Sequence, residues 1–149
     1  VEVVQFLKGT TRYGEVRAAP PFSINIHQFG RECLHPERPN CRGCTDCHID
    51  PQNPKEEDYR NAAAALKKAS LLASNAQLLI LDEVLYALAF GLINENDLLR
   101  LLQQAKCEVV LTGNPLTDPV RKLCHYVSRF VSIKHHIEQG HVSVVGIDQ

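Results

Sequence analysis

The chain has 149 residues, a 44% hydrophobic share and a formal net charge of −1, which fits one globular domain with its own core. Near-neutral charge without a long basic run excludes an electrostatic footprint for nucleic acid. Apolar runs are short and interrupted, so no segment reads as a membrane-spanning helix, and no signal peptide is visible; the chain reads as cytoplasmic, without a membrane partner.

Residues 1 to 7, rich in Val and Phe, predict a strand running into the polar loop Lys8-Gly9-Thr10-Thr11-Arg12-Tyr13-Gly14-Glu15. Two glycines with four residues between them after a strand imitate a phosphate-binding loop. Glu15-Val16 stands where Lys-Ser/Thr is required, and a carboxylate there repels phosphate, so this is a different loop. Ser23 to Phe29 predicts a second short strand, with Ile24 and Ile26 alternating against polar neighbours.

Composition then changes. Residues 30 to 54 hold four cysteines and four prolines and few aliphatics, the pattern of an inserted loop within a single domain spanning 1 to 149. Asn53 and Pro54 predict the cap and first position of a helix, with Glu56 and Glu57 in its first turn. An alanine-leucine face at Ala62, Leu66, Ala69 and Leu72 carries that helix to residue 73.

Gln77-Leu78-Leu79-Ile80-Leu81-Asp82-Glu83 is the organising stretch. Its apolar run predicts a buried parallel strand whose tip is acidic. Ligands of open α/β sheets bind outside the carboxyl ends of the strands. Asp82 and Glu83 are therefore placed to hold Mg²⁺ on a nucleotide, directly or through water, although two solvated acids ending a strand would look the same.

A short helix is predicted from Glu83 to Phe90, ended by Gly91. Asn94 caps another, with Leu98, Leu99, Leu101 and Leu102 on its apolar side. Glu108 to Pro115 predicts a strand ending in a small-residue turn. Asp118-Pro119 opens a helix to about Val127, and final strands are expected at Phe130 to Ile133 and Val142 to Val145. Strands alternating with helices predict an α/β fold, with a mostly parallel sheet flanked by helices.

Cys33, Cys41, Cys44 and Cys47 fall within fifteen residues, beside His35 and His48. Cys-x₂-Cys-x₂-Cys aims successive thiolates at one point, so a tetrahedral Zn²⁺ site or a [4Fe–4S] cluster is expected, and the spacing leaves both open. Two disulfides are disfavoured in a reducing compartment. Cys107 and Cys124 read as inert core thiols. His125, His135, His136 and His141 read as hydrogen-bonded or solvated.

Val3-Val4-Gln5-Phe6-Leu7-Lys8-Gly9 followed by Gly14-Glu15 resembles a signature of the ATP:corrinoid adenosyltransferases of the CobA/BtuR type. Leu81-Asp82-Glu83-Val84, with Ala87-Leu88 and Gly91 after it, is similar to the same family. So are Leu111-Thr112-Gly113 and Val131-Ser132-Ile133-Lys134-His135. The resemblance covers about residues 1 to 29 and 54 to 136. It implies a RecA-like P-loop fold and transfer of the 5′-deoxyadenosyl group of ATP to the cobalt of a reduced corrinoid, releasing triphosphate. It also implies that Glu83 helps hold Mg²⁺ with Asp82 beside it, and that Lys8, Thr112 and Gly113 lie near the nucleotide or corrinoid.

The family's phosphate-binding loop is expected ahead of residue 1. Leu85 and Asn114 stand where relatives often have Asn and Arg. The cysteine-rich insert begins at Gly30, where many relatives carry corrinoid-facing aromatics. The second reading is a metal- or redox-responsive nucleotide-binding relative without transferase activity. A homodimer is permitted by these patterns and not specified by them.

Overall fold

Four apolar segments form one sheet. The computed structural model describes residues 1–9, 13–35 and 47–140, the side chains of residues 136 and 137 excepted. Strands β1 (Glu2–Phe6), β2 (Asn25–Phe29), β3 (Leu78–Asp82) and β4 (Glu108–Leu111) lie in the order β2-β1-β3-β4. All three pairings are parallel, with Val4 opposite both His27 and Leu81. All four carboxyl ends therefore share one edge.

The two-residue side-chain period separates the faces. Val4, Phe6, Leu79 and Leu81 are fully buried on one face. They form a core with Ala62, Ala65 and Ala69 of helix α2 (Glu56–Leu72) and with Leu98 and Leu101 of helix α4 (Glu95–Gln104). Alanines on the inner side of α2 let its backbone come close to β1, β2 and β3. Each buried Leu or Phe contributes about 1.5–3 kcal/mol relative to exposure, so this face carries most of the packing.

The opposite face, with Val3, Gln5, Ile80 and Asp82, is covered more thinly. A short helix α1 (Gly14–Ala18) and a 3₁₀ turn (Pro20–Phe22) lie over it. They leave a cavity of about 360 Å³ bordered by Val3, Ile26, Ile80 and Phe22, with Glu15 and Asp82 also on its lining. At the β4 side Val110 is 44% exposed. No helix among the described residues is long and apolar enough to cross a membrane.

Helix α4 shows how local chemistry sets a boundary. The Asn94 side chain accepts the Asn96 N–H at 2.8 Å, and Glu95 and Asp97 occupy the first turn. Asn94→Ala removes that acceptor and is expected to cost about 1 kcal/mol, measured by urea unfolding as a lower midpoint at unchanged slope.

Several expectations are corrected. Helix α2 is capped at Lys55, not Asn53, because the Asp58 carboxylate accepts the Lys55 N–H at 2.7 Å. The loop expected through Glu15 already turns helical at Gly14. The helix after β3, α3 (Val84–Ala89), is capped by Glu83 and Phe90 as expected, whereas α5 (Asp118–Leu123) stops four residues short of Val127. Phe130 to Ile133 is not a strand. Among the described residues its side chains are little covered, with Phe130 95% and Ile133 97% exposed. Strand propensity expresses a packed, paired surface, and here no described strand pairs with the segment. Val142 to Val145 lies outside the described residues. Residues 30–35 and 47–55 contain neither helix nor strand.

Candidate active site

The site is built at the shared carboxyl edge, from the ends of β1, β3 and β4. Asp82 is the last residue of β3, and Glu83 follows in the left-handed region at φ 62°. That conformation costs a non-glycine residue about 1–2 kcal/mol. It is held because the Glu83 N–H donates to Thr112 Oγ1 at 2.8 Å while the Glu83 carbonyl accepts the Tyr86 and Ala87 N–H groups at 3.1 Å. The turn redirects the chain from β3 into α3. Leu7, at the end of β1, is also left-handed, at φ 63°, and delivers Lys8 to the same place.

Asp82 is tightly partnered. Lys8 Nζ donates to its Oδ2 at 2.9 Å, Gln5 Nε2 to the same oxygen at 3.1 Å, and Thr112 Oγ1 to its Oδ1 at 2.8 Å. Burial alone would raise the Asp82 pKa, but the bonds from Lys8, Thr112 and Gln5 and the lysine charge bring it below the ordinary carboxylate value. Burial likewise works against the Lys8 charge, and the bond to Asp82 with the charges of Asp82, Glu83 and Glu15 outweighs it, so the lysine pKa is raised. Lys8 also meets Glu15 at 3.4 Å and lies 5.2 Å from the centre of the Tyr13 ring.

Glu83 differs from Asp82. Burial pushes its carboxyl pKa up, Asp82 and Glu15 add to the rise, and Lys8 opposes it. One neighbouring carboxylate is thus satisfied as an anion and the other is destabilised as one. A cation brought to Glu83 relieves that cost. Mg²⁺ commonly takes only one or two protein carboxylates, completing its shell with water and phosphate oxygens. Among the described residues no group of three or more His, Cys, Asp or Glu side chains is gathered that could hold a metal by itself. Glu83 could serve as one such carboxylate.

Four of the residues expected from sequence, Lys8, Asp82, Glu83 and Thr112, are brought together. Thr112 links the two acids, donating to one and accepting from the backbone of the other. Gly113 sits beside them at φ 119°, and a Cβ there would press to 3.0 Å on Leu85 Cβ and Tyr86 N. Gly113 thus lets the β4 turn approach the start of α3. Cys33 and Cys47 are half-buried, while Cys41 and Cys44 lie outside the described residues. Cys107 and Cys124 pack against the core, and burial raises the Cys107 pKa, as suits inert thiols. His125 and His135 are exposed; His141 and the His136 side chain lie outside the description.

Gln5, Glu15 and Tyr13 were not among the expected site residues. Gln5 is 2% exposed and joins Glu15, Asp82 and Gln28. Its signal was available: a polar side chain inside Val3-Val4-Gln5-Phe6 must find partners if that strand is buried.

The parallel sheet flanked by helices defines an α/β protein, and in open sheets of this kind ligands bind beyond the carboxyl ends of the strands. A family profile described as ATP:corrinoid adenosyltransferase BtuR/CobO/CobP matches residues 1–149. The chain belongs to that family, whose enzymes transfer the adenosyl group of ATP to a corrinoid. This gives no support to the non-transferase alternative. No curated protein matches the chain.

Proposed function

We propose that the Lys8–Asp82–Glu83–Thr112 cluster is the nucleotide end of the adenosyl-transfer site. The observation that carries this is the contrast between a saturated Asp82 and a destabilised Glu83 beside one lysine. Glu83 would hold Mg²⁺, which when bound neutralises phosphate charge and stabilises the departing triphosphate. Lys8 presents an ammonium to the phosphate oxygens while Asp82 and Glu15 fix its position. Thr112 and Gly113 set the floor against which the nucleotide rests.

In the transfer, the reduced cobalt supplies an electron pair to C5′ of ATP. The Co–C bond forms as the C5′–O bond breaks, and triphosphate leaves with that bond's electrons. The cobalt is itself the strong nucleophile, so the protein's part is to align, neutralise and keep water away. The fold is proposed to be of the RecA-like P-loop type, its sheet extended beyond β4. Two features favour this: β4 pairs only with β3 among the described residues, and the face carrying Val110 is incompletely covered. The test is turnover with ATP, Mg²⁺ and a chemically reduced corrinoid. Adenosylcorrinoid and triphosphate in equal amounts are expected; phosphate release without a Co–C bond would overturn the reading.

The second site is the cysteine loop. Cys33, Cys41, Cys44 and Cys47 are proposed to hold one Zn²⁺ or one [4Fe–4S] cluster, and the loop to form part of the corrinoid wall. The spacing of the four thiols supports this. The loop's ends are also joined, since Arg31 Nη1 donates to the His48 carbonyl at 3.1 Å. Anaerobically purified protein should contain about one zinc, or about four irons with matching sulfide, per chain. Cys44→Ser should lose that metal and open the loop to protease while the sheet stays folded. Four freely alkylated thiols and no metal would remove the site.

A further inference from the structure

Arg31 begins the chain's path out of β2 toward the cysteine loop, and its side chain turns inward. Only 10% of that side chain is exposed, and none of the Asp58 side chain. Arg31 Nε donates to Asp58 Oδ1 at 2.7 Å, and Nη2 donates to Oδ2. Asp58 Oδ2 also accepts the Lys55 N–H, which fixes the start of α2. Nη1 reaches the His48 carbonyl on the far side of the loop. One guanidinium therefore ties the loop's entry, its exit and the first turn of α2 together.

The main chain makes a second set of contacts. A Cβ added at Gly9 would collide with the Arg31 carbonyl, and one at Gly30 would collide with the backbone of Leu7 and Lys8. The loop stem and the Lys8–Gly9 turn thus touch backbone to backbone, with no side chain between them to absorb a shift. Lys8 in turn reaches Asp82, Glu15 and the Tyr13 ring.

We infer that Arg31 is a positioning residue: through Asp58, His48 and the Gly9 contact it locks the stem of the cysteine loop against the Lys8 turn and so sets where the Lys8 ammonium stands. The step from Lys8 position to ATP rests on the nucleotide reading above. A guanidinium is suited to this role because its planar fork engages both carboxylate oxygens while a remaining N–H serves a carbonyl. An arginine that merely stabilised α2 would change global stability and leave the Lys8 turn as ordered as the rest of the sheet.

The test compares Arg31→Met, Asp58→Asn and Lys8→Met. Asp58→Asn keeps an oxygen for the Lys55 N–H and removes the charge that orients Arg31, so it serves if Arg31→Met folds poorly. Hydrogen exchange at residues 8–9 and 31–33 should quicken tenfold or more, with β3 and α4 amides unchanged, as expected of a local opening. KM for ATP should rise by about tenfold, with kcat within about threefold, because the lysine is misplaced rather than lost. A uniform loss of protection across the sheet, or unchanged exchange at residues 8–9 in a folded variant, would overturn the inference. Unchanged KM in Arg31→Met would overturn it too, provided Lys8→Met weakens ATP. Should Lys8→Met leave ATP binding intact, the nucleotide reading of Lys8 fails, and the exchange pattern alone decides whether Arg31 locks the turn.

Discussion

Lys8→Met is expected to lower both stability and turnover, and to move the acid limb of the stability profile to higher pH. Methionine keeps the unbranched stem and removes the charge, leaving Asp82 partly buried with Gln5 and Thr112 as its remaining side-chain donors among the described residues. Loss of one partner from a partly buried pair costs roughly 1–3 kcal/mol, less than for full burial because both groups keep some water. The Asp82 pKa is depressed in the folded state, so its stabilisation is present above the unfolded value and lost as pH falls through the folded one. The Lys8 pKa is raised, so its stabilisation is complete below the unfolded value and lost as pH rises through the folded one. The pair is strongest between those limits, across neutral pH. Urea unfolding over the acid range checks this: the variant should lose stability at a higher pH than the parent. Coincident profiles would mean that Lys8 does not hold Asp82 ionised.

Glu83→Gln should do the opposite to stability while damaging function more. The Glu83 pKa is raised by burial and by Asp82. Its favourable contribution therefore exists below the unfolded value and is lost as pH rises through the folded one, so at neutral pH the ionised group opposes folding. Glutamine does not ionise, and the ligand-free variant should melt higher than the parent at neutral pH. Turnover should fall on the order of 100-fold, the upper range seen when support for a bound metal is removed, and added Mg²⁺ should restore little of it. A residue kept for packing would show no such exchange of stability for activity. Thermal melts with and without Mg²⁺–ATP, run beside the adenosyl-transfer assay, separate the two.

The parts of this site differ in how far local sequence reveals them. The strand from Leu78 to Asp82 was legible because a continuous apolar run ending in acids has few other meanings. The partnership of Asp82 with Lys8 was not, because it depends on β1 lying parallel beside β3, 74 positions away in sequence. Neither left-handed residue at the strand ends was visible, since Leu7 and Glu83 carry no glycine-like signal; tertiary hydrogen bonds impose the turn at Glu83. The start of α2 was misplaced because Asn53-Pro54 is a good local cap, whereas Asp58, drawn into a buried pair with Arg31, caps from inside the helix. Phe130 to Ile133 has strand composition, but no described strand pairs with it. Membership in the adenosyltransferase family was legible because several short motifs recur in order, although each is brief.

The claim that Glu83 carries the nucleotide's divalent cation is tested most directly by Mn²⁺ in place of Mg²⁺. Loss of the free-ion EPR signal reports binding, and titration is done at saturating ATP with the parent protein and with Glu83→Gln. The account predicts one ATP-dependent Mn²⁺ site in the parent and an affinity weaker by about tenfold or more in the variant. Equal ATP-dependent Mn²⁺ affinity in the two proteins would contradict it.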